Sequence, residues 1–182
     1  MGERAASGTK DRILAIAKQL FLEKGYAGTS IADISGALGT TKAAVYYHFA
    51  AKDAILSELL AKPLAEYTRL AERAVTEPLT AAELLGELID MTADAESVLS
   101  LPGNDPSISA ELKDMHKLRE KNDMIIAGLA DPGATGVQLV RAHAAYAVAK
   151  QGTFAVLAAN GGKLPEGARA ELLDAALRAL GR

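Results

Sequence analysis

"GYAGTSIADISGALGTTKAAVYYHFAAKDAIL", residues 25–56, concentrates the strongest local signals of the chain. Ser30 followed three residues later by Asp33 predicts a capping box, so a helix starts just after Ser30. Ile31, Ile34 and Leu38 fall on one face of it, and Gly39 stops it. Thr40 or Thr41 then caps a third helix over about 42–48. Upstream, Thr9 caps a first helix to Lys24, with Ile13, Leu14, Ala17, Leu20 and Phe21 on its apolar face and Gly25 at its end. Two short helices joined by a tight glycine turn, after a longer one, describe a helix-turn-helix.

In that motif the second short helix enters the major groove, its first residues facing base edges. Thr29, Ser30, Thr40 and Thr41 lie at two helix starts, where hydroxyls and free N–H groups can hold phosphate oxygens. Lys42 has the reach for a guanine edge or a phosphate. Ala43 and Ala44 let the helix approach closely, and their methyl groups can touch a thymine methyl. Val45 and Phe49, four apart, share the buried face. Tyr46, Tyr47 and His48 then point elsewhere, with polar tips suited to phosphates; His48 is either a phosphate contact or a cap for the helix end. Lys52 adds a charge near the same backbone, and Arg4 and Lys10 offer either an N-terminal arm or a disordered tail. The plainer reading of Lys42, Tyr46, Tyr47 and Lys52 is an ordinary solvated surface.

The rest of the 182 residues narrows the alternatives. There is no cysteine, which excludes disulfides, thiolate metal sites and cysteine nucleophiles. The polar start "MGERAASGTKDR" has no apolar signal core, and the most apolar stretch is interrupted by His143, Lys150 and Gln151, so a cytoplasmic protein without a membrane span is expected. Residues 1–62 carry eight basic and six acidic residues, a charge of +2, and residues 63–182 twelve and seventeen, a charge of −5. A mildly basic front is joined to an acidic back. Gly161, Gly162 and Lys163 lack phosphate-loop spacing, no nucleophile elbow occurs, and the three histidines fall on separate helices. No enzyme, cofactor or metal is expected.

Everything beyond the third helix reads as helix. A fourth starts near Ala51 and carries Leu56, Leu59, Leu60, Leu64, Tyr67 and Leu70, with Pro63 either kinking it or breaking it near Lys62. Further helices are expected over about 80–99, 107–130, 134–159 and 166–180, separated by "LPGNDP", "DPG" and "NGG". The fold class is all-α: a three-helix helix-turn-helix domain over 1–52, joined by a long fourth helix to a helical bundle over 53–182.

Residues 25–56 resemble the DNA-binding segment of the TetR family of bacterial transcriptional repressors. The shared pattern is the Gly25-Tyr26 pair, Thr29, Ile34, Ala37, Gly39, Lys42, Tyr46, His48, Phe49, Lys52 and Leu56 in register. The resemblance covers about residues 9–60. Ser35, Thr40, Ala43 and Ala44 depart from the residues common there. The resemblance implies an all-helical homodimer, with a four-helix interface made by the last two helices of each chain. It also implies a variable C-terminal domain whose ligand weakens binding to double-stranded operator DNA.

In that domain His143, Tyr146, Lys150, Phe154 and Leu157 make one helical stripe. A lysine among aromatics on an alanine-rich helix is costly if buried and unpaired; it binds an anionic ligand, pairs with an acid, or sits at a rim. His116, Arg119 and Asn122 offer a second polar stripe, for which a solvated face is the simpler reading. Met91, Met115 and Met124 are core residues or pocket lining, and Tyr67, on the fourth helix, lies where a ligand could push on the DNA-binding unit, with core packing the simpler account. Ala144, Ala147, Ala155 and Ala158 suit close helix packing, within the chain or between copies. The function expected is a ligand-responsive repressor that binds a near-palindromic operator as a homodimer. An adaptor using its helix-turn-helix for protein contacts is the alternative.

Overall fold

Capping chemistry sets the beginning of the chain. The structure, a computed structural model, describes residues 2–94, 115–131 and 133–182, and side chains outside 2–7 and 115–117. Every described regular element is helical. The order is α1 (Gly2–Lys24), α2 (Ile31–Leu38), α3 (Lys42–His48), α4 (Lys52–Thr76), α5 (Ala81–Asp94), α6 (Met115–Leu129), α7 (Val137–Ala147), a π-helical turn (Val148–Gly152), α8 (Thr153–Ala159) and α9 (Ala168–Leu180).

At the start of α2, Ser30 Oγ accepts from the Asp33 N–H at 3.2 Å while Asp33 Oδ2 accepts from the Ser30 N–H at 2.9 Å. Gly39 ends α2 at φ 66°, a left-handed conformation that a side chain with a Cβ rarely adopts. Thr41, not Thr40, caps α3, its hydroxyl accepting from the Ala44 N–H at 3.2 Å. Thr80 and Glu83 repeat the capping box before α5.

Two expectations are corrected and one alternative is decided. Helix α1 runs through Thr9 instead of being capped there, because Glu3, Arg4, Ala5 and Ala6 favour helix and outweigh the modest cost of Gly8. Of the two alternatives at Pro63, a single helix is found: losing one donor does not end a helix whose flanking turns are buried at Leu60 and Tyr67. The expected helix over 134–159 contains the π turn at Val148–Gly152. The expected end of the 80–99 helix, the start of the 107–130 helix and the "LPGNDP" break lie outside the described residues.

The described residues form two compact units, one running to Lys62 and the other starting at Pro63. In the first, α2 packs on α1 and α3, and Ile13, Ala17, Phe21, Ile34, Val45, Phe49, Ile55 and Leu60 are buried. In the second, α9 packs on α7, α5 and the π turn, while α6 packs on α5 and α7. Its core joins Tyr67, Leu70, Leu84, Leu85, Leu88, Ile89, Ile125, Ile126, Ala142, Ala145, Tyr146 and Ala176. Gly128 lets α6 close on α4, since a Cβ there would lie 2.4 Å from the Ala74 carbonyl oxygen. No helix among the described residues is long and apolar enough to cross a membrane.

Candidate nucleic-acid interface and a buried polar cluster

Helix α3 divides cleanly. Val45 is fully buried and Phe49 nearly so, which seats the helix on the core of the first unit. The other side carries Lys42 and Ala43, both exposed, with Ala44 and His48 half-buried. Tyr46 is 52% exposed and Tyr47 83%, large aromatic surfaces open to solvent. The His48 ring stands edge-on to Tyr47, centroids 5.2 Å apart. No acid lies in the first turn of α3, so its positive dipole end is not neutralised there.

The other expected DNA contacts are placed differently. Thr40 and Thr41 are exposed beside Lys42. Ser30 is exposed, but its hydroxyl is engaged with the Asp33 carboxylate. Those bonds, with Lys24 at 3.8 Å, hold the Asp33 carboxyl below the usual carboxylate range. Thr29 is buried, and its hydroxyl donates to the carbonyls of Leu20 and Gly25 at 3.1 and 2.9 Å. Lys52 is half-buried, and its ammonium donates to the carbonyls of Tyr26 and Thr29 at 2.7 and 2.9 Å while lying 4.0 Å from the centre of the Tyr26 ring. Tyr26 in turn donates to Asp53. Thr29 and Lys52 therefore brace the loop between α1 and α2. Lys10 bonds Glu58 at 2.8 Å, along the side of α1.

A second constellation sits in the second unit. Tyr67 of α4, Asn122 of α6, Tyr146 of α7 and Lys150 of the π turn converge. Lys150 Nζ donates to the Tyr146 hydroxyl at 2.9 Å, to the Tyr67 hydroxyl at 3.2 Å and to Asn122 Oδ1 at 3.3 Å. The two tyrosine hydroxyls are 2.7 Å apart, and both donate to Asn122 Oδ1, Tyr146 at 2.7 Å. The ammonium also lies 4.4 Å from the centre of the Tyr67 ring. Among the described residues no carboxylate pairs with it. Burial lowers the Lys150 ammonium to about 8 and raises both tyrosine hydroxyls, Tyr146 to about 12.

The sequence marked these four residues on three separate stripes; their meeting was not legible, because the three stripes lie 24–83 positions apart. Of the other candidates, His143 is exposed, and Phe154 and Met91 are half-buried. Met91 lines a polar cleft with Arg69, Arg73, Glu87 and Asp90, away from Lys150. The side chains of Met115 and His116 lie outside the described residues. A larger cleft of about 490 Å³ lies between α4 and α6, walled by Leu64, Ala65, Thr68 and Leu118, with Arg69, Glu72 and Lys121 at its edge.

Residues 13–59 match the family model described as bacterial regulatory proteins, tetR family. The chain is 37% identical over 57 residues to the HTH-type transcriptional regulator AcrR of Shigella flexneri, covering 31% of this chain and 26% of that protein. It is 45% identical over 49 residues to IcaR of Staphylococcus aureus, the HTH-type negative transcriptional regulator of the biofilm operon icaADBC, covering 27% and 26%. These matches span about a quarter of the length of the curated relatives. Solved structures are similar over nearly the whole chain. A transcriptional regulator (TerR/AcrR family) from Aquifex aeolicus VF5 aligns with TM-score 0.67 at 22% identity, covering 95% of this chain and 98% of that one. The ketosteroid transcriptional regulator KstR2 of Mycobacterium tuberculosis aligns with TM-score 0.69 at 17% identity, covering 100% and 95%. The all-helical fold is that of these neighbours.

Proposed function

With residues 13–59 belonging to the tetR family of bacterial regulatory proteins, we propose that the protein is a DNA-binding transcriptional repressor that responds to a small-molecule effector. The observation that carries the reading is the division of α3: Val45 and Phe49 anchor it, while Lys42, Ala43, Tyr46 and Tyr47 stand free on the opposite side. An exposed helix of that composition has the reach, charge and aromatic tips that phosphates and base edges select. The similarity to IcaR, a negative regulator, supports repression over activation.

The working form is a homodimer on a near-palindromic operator. Val137, Val140, Ala144, Ala147, Ala155 and Ala158 recur at helical spacing along α7 and α8, and all are exposed in the single chain. A second copy of this chain would cover that stripe. Residues 1–52 would bind DNA, and residues 53–182 would hold the effector and the partner. Helix α4 begins beside the Lys52 brace and ends in the second unit, so its displacement by an effector is the simplest route between the two functions. An effector works only if it binds the low-affinity conformation better.

Operator selection from a random DNA library, at two salt concentrations, tests this. Enrichment of a palindromic site, with affinity falling steeply as salt rises, is the expected result. No enriched site with an intact dimer would overturn the reading and favour a protein-binding adaptor.

A further inference from the structure

We propose that Lys150, Tyr67 and Tyr146 form the recognition point for the carboxylate of an apolar monocarboxylic effector. The inference deepens the repressor reading and rests on it for its regulatory meaning, though not for the binding itself.

The argument starts from hydrogen-bond accounting. An ammonium offers three donors and each tyrosine hydroxyl one, so five polar hydrogens converge here. The strongest acceptor facing them is a single amide oxygen, Asn122 Oδ1, approached by both hydroxyls and by Lys150 Nζ. A carbonyl oxygen has two lone pairs and three donors claim it. Among the described residues the positive charge is met by neutral oxygens and two aromatic faces, at 4.4 and 5.5 Å. Asp123, the acid beside Asn122, is exposed and acts on Tyr146 through its charge, but forms no bond to Lys150. A carboxylate supplies what is short: one negative charge and two oxygens with about four acceptor sites.

The site selects the class of anion. One lysine carries one charge, and among the described residues no arginine fork joins it, so a monoanion neutralises the cluster whereas a phosphate would leave excess charge in a part-buried place. Lys150 keeps partial exposure, so the ammonium is reachable, while Tyr67 is 1% and Tyr146 9% exposed, so their hydroxyls become available when the bonds within the cluster open. The lysine is carried by a π turn, a distortion that costs helix regularity and is frequent at functional sites. Thr153 repairs part of that cost by donating to the Ala149 carbonyl at 2.6 Å. Tyr67 and Asn122 stand on the same two helices, α4 and α6, whose Leu64, Ala65, Thr68 and Leu118 line the larger cleft, although neither residue lines it. The apolar body of the effector would lie along Leu64, Ala65 and Leu118.

The probes are straight-chain carboxylates from hexanoate to decanoate and benzoate, each beside its matching alcohol. Binding to the full chain is read by thermal shift and by the Lys150 side-chain NMR titration. Release of the selected operator is read separately. We expect carboxylates to bind about tenfold or more tighter than the alcohols, to raise the Lys150 titration midpoint, and to lose that preference in Lys150→Met but keep most of it in Lys150→Arg. Equal binding of acid and alcohol, an unchanged preference in Lys150→Met, or no binding by any acid overturns the inference. Failure to bind any operator, with carboxylate binding intact, overturns the repressor reading instead. Operator binding with no carboxylate effect on Lys150 overturns the inference alone.

Discussion

Lys52 and Lys150 make an instructive pair. Each ammonium lies over a tyrosine ring, 4.0 Å from Tyr26 and 4.4 Å from Tyr67, and each is withdrawn from solvent. Lys52 is matched to its surroundings: two backbone carbonyls, at 2.7 and 2.9 Å, accept from it. Lys150 meets two hydroxyls and an amide that are already bonded to one another. A charge whose acceptors are fixed backbone is a brace. A charge whose acceptors are shared and neutral has room for a further, negative one.

The comparison breaks first on pH. Lys150 titrates near 8 in the folded chain against an ordinary 10.5, so between those values the unfolded state binds more protons and stability rises with pH. Tyr67 and Tyr146, both held up by burial, stay protonated across that window. The wild type should gain on the order of 3 kcal/mol relative to Lys150→Met between neutral pH and pH 10.5, measured by denaturant unfolding at each pH. Parallel curves for the two proteins would place Lys150 in a well-compensated site, like Lys52. At neutral pH the two lysines should differ in sign. Lys52→Met removes bonds to two buried-loop carbonyls and should destabilise by about 2 kcal/mol, whereas Lys150→Met should be neutral or stabilising.

Smaller effects sharpen the same contrast. Tyr67→Phe removes one hydroxyl from the cluster but leaves Asn122 Oδ1 bonded to Tyr146, so about 1 kcal/mol is expected, by the same unfolding measurement. Ser30→Ala removes the α2 cap and should cost about 1 kcal/mol of stability. The Asp33 half of that box is held below the usual carboxylate range, so its contribution is present at neutral pH and is lost as pH falls through the acid range.

How much the sequence disclosed follows the range of the interactions. Ser30, Asp33, Gly39 and Thr41 act on backbone within three or four residues, and the helices they start and stop were legible from spacing alone. Val45 and Phe49 follow from one helical turn. Thr29 and Lys52 were read as DNA contacts, but Thr29 donates to the Leu20 and Gly25 carbonyls, and Lys52 finds acceptors in a folded-back loop 23 and 26 residues away. No local pattern encodes that return. The same limit applies to the cluster at Lys150, where each stripe was visible and their convergence across α4, α6 and α7 was not. The π turn was hidden too, since an added residue in a helix leaves "AYAVAKQGTFAVLAA" looking continuous.

The most direct test of the account is the salt dependence of operator affinity for the wild type and Lys42→Ala. If the exposed side of α3 is the contact surface, the variant binds more weakly, and its log–log slope against salt is shallower by about one. An identical slope and affinity for both proteins would contradict the assignment of α3 as the DNA-reading helix.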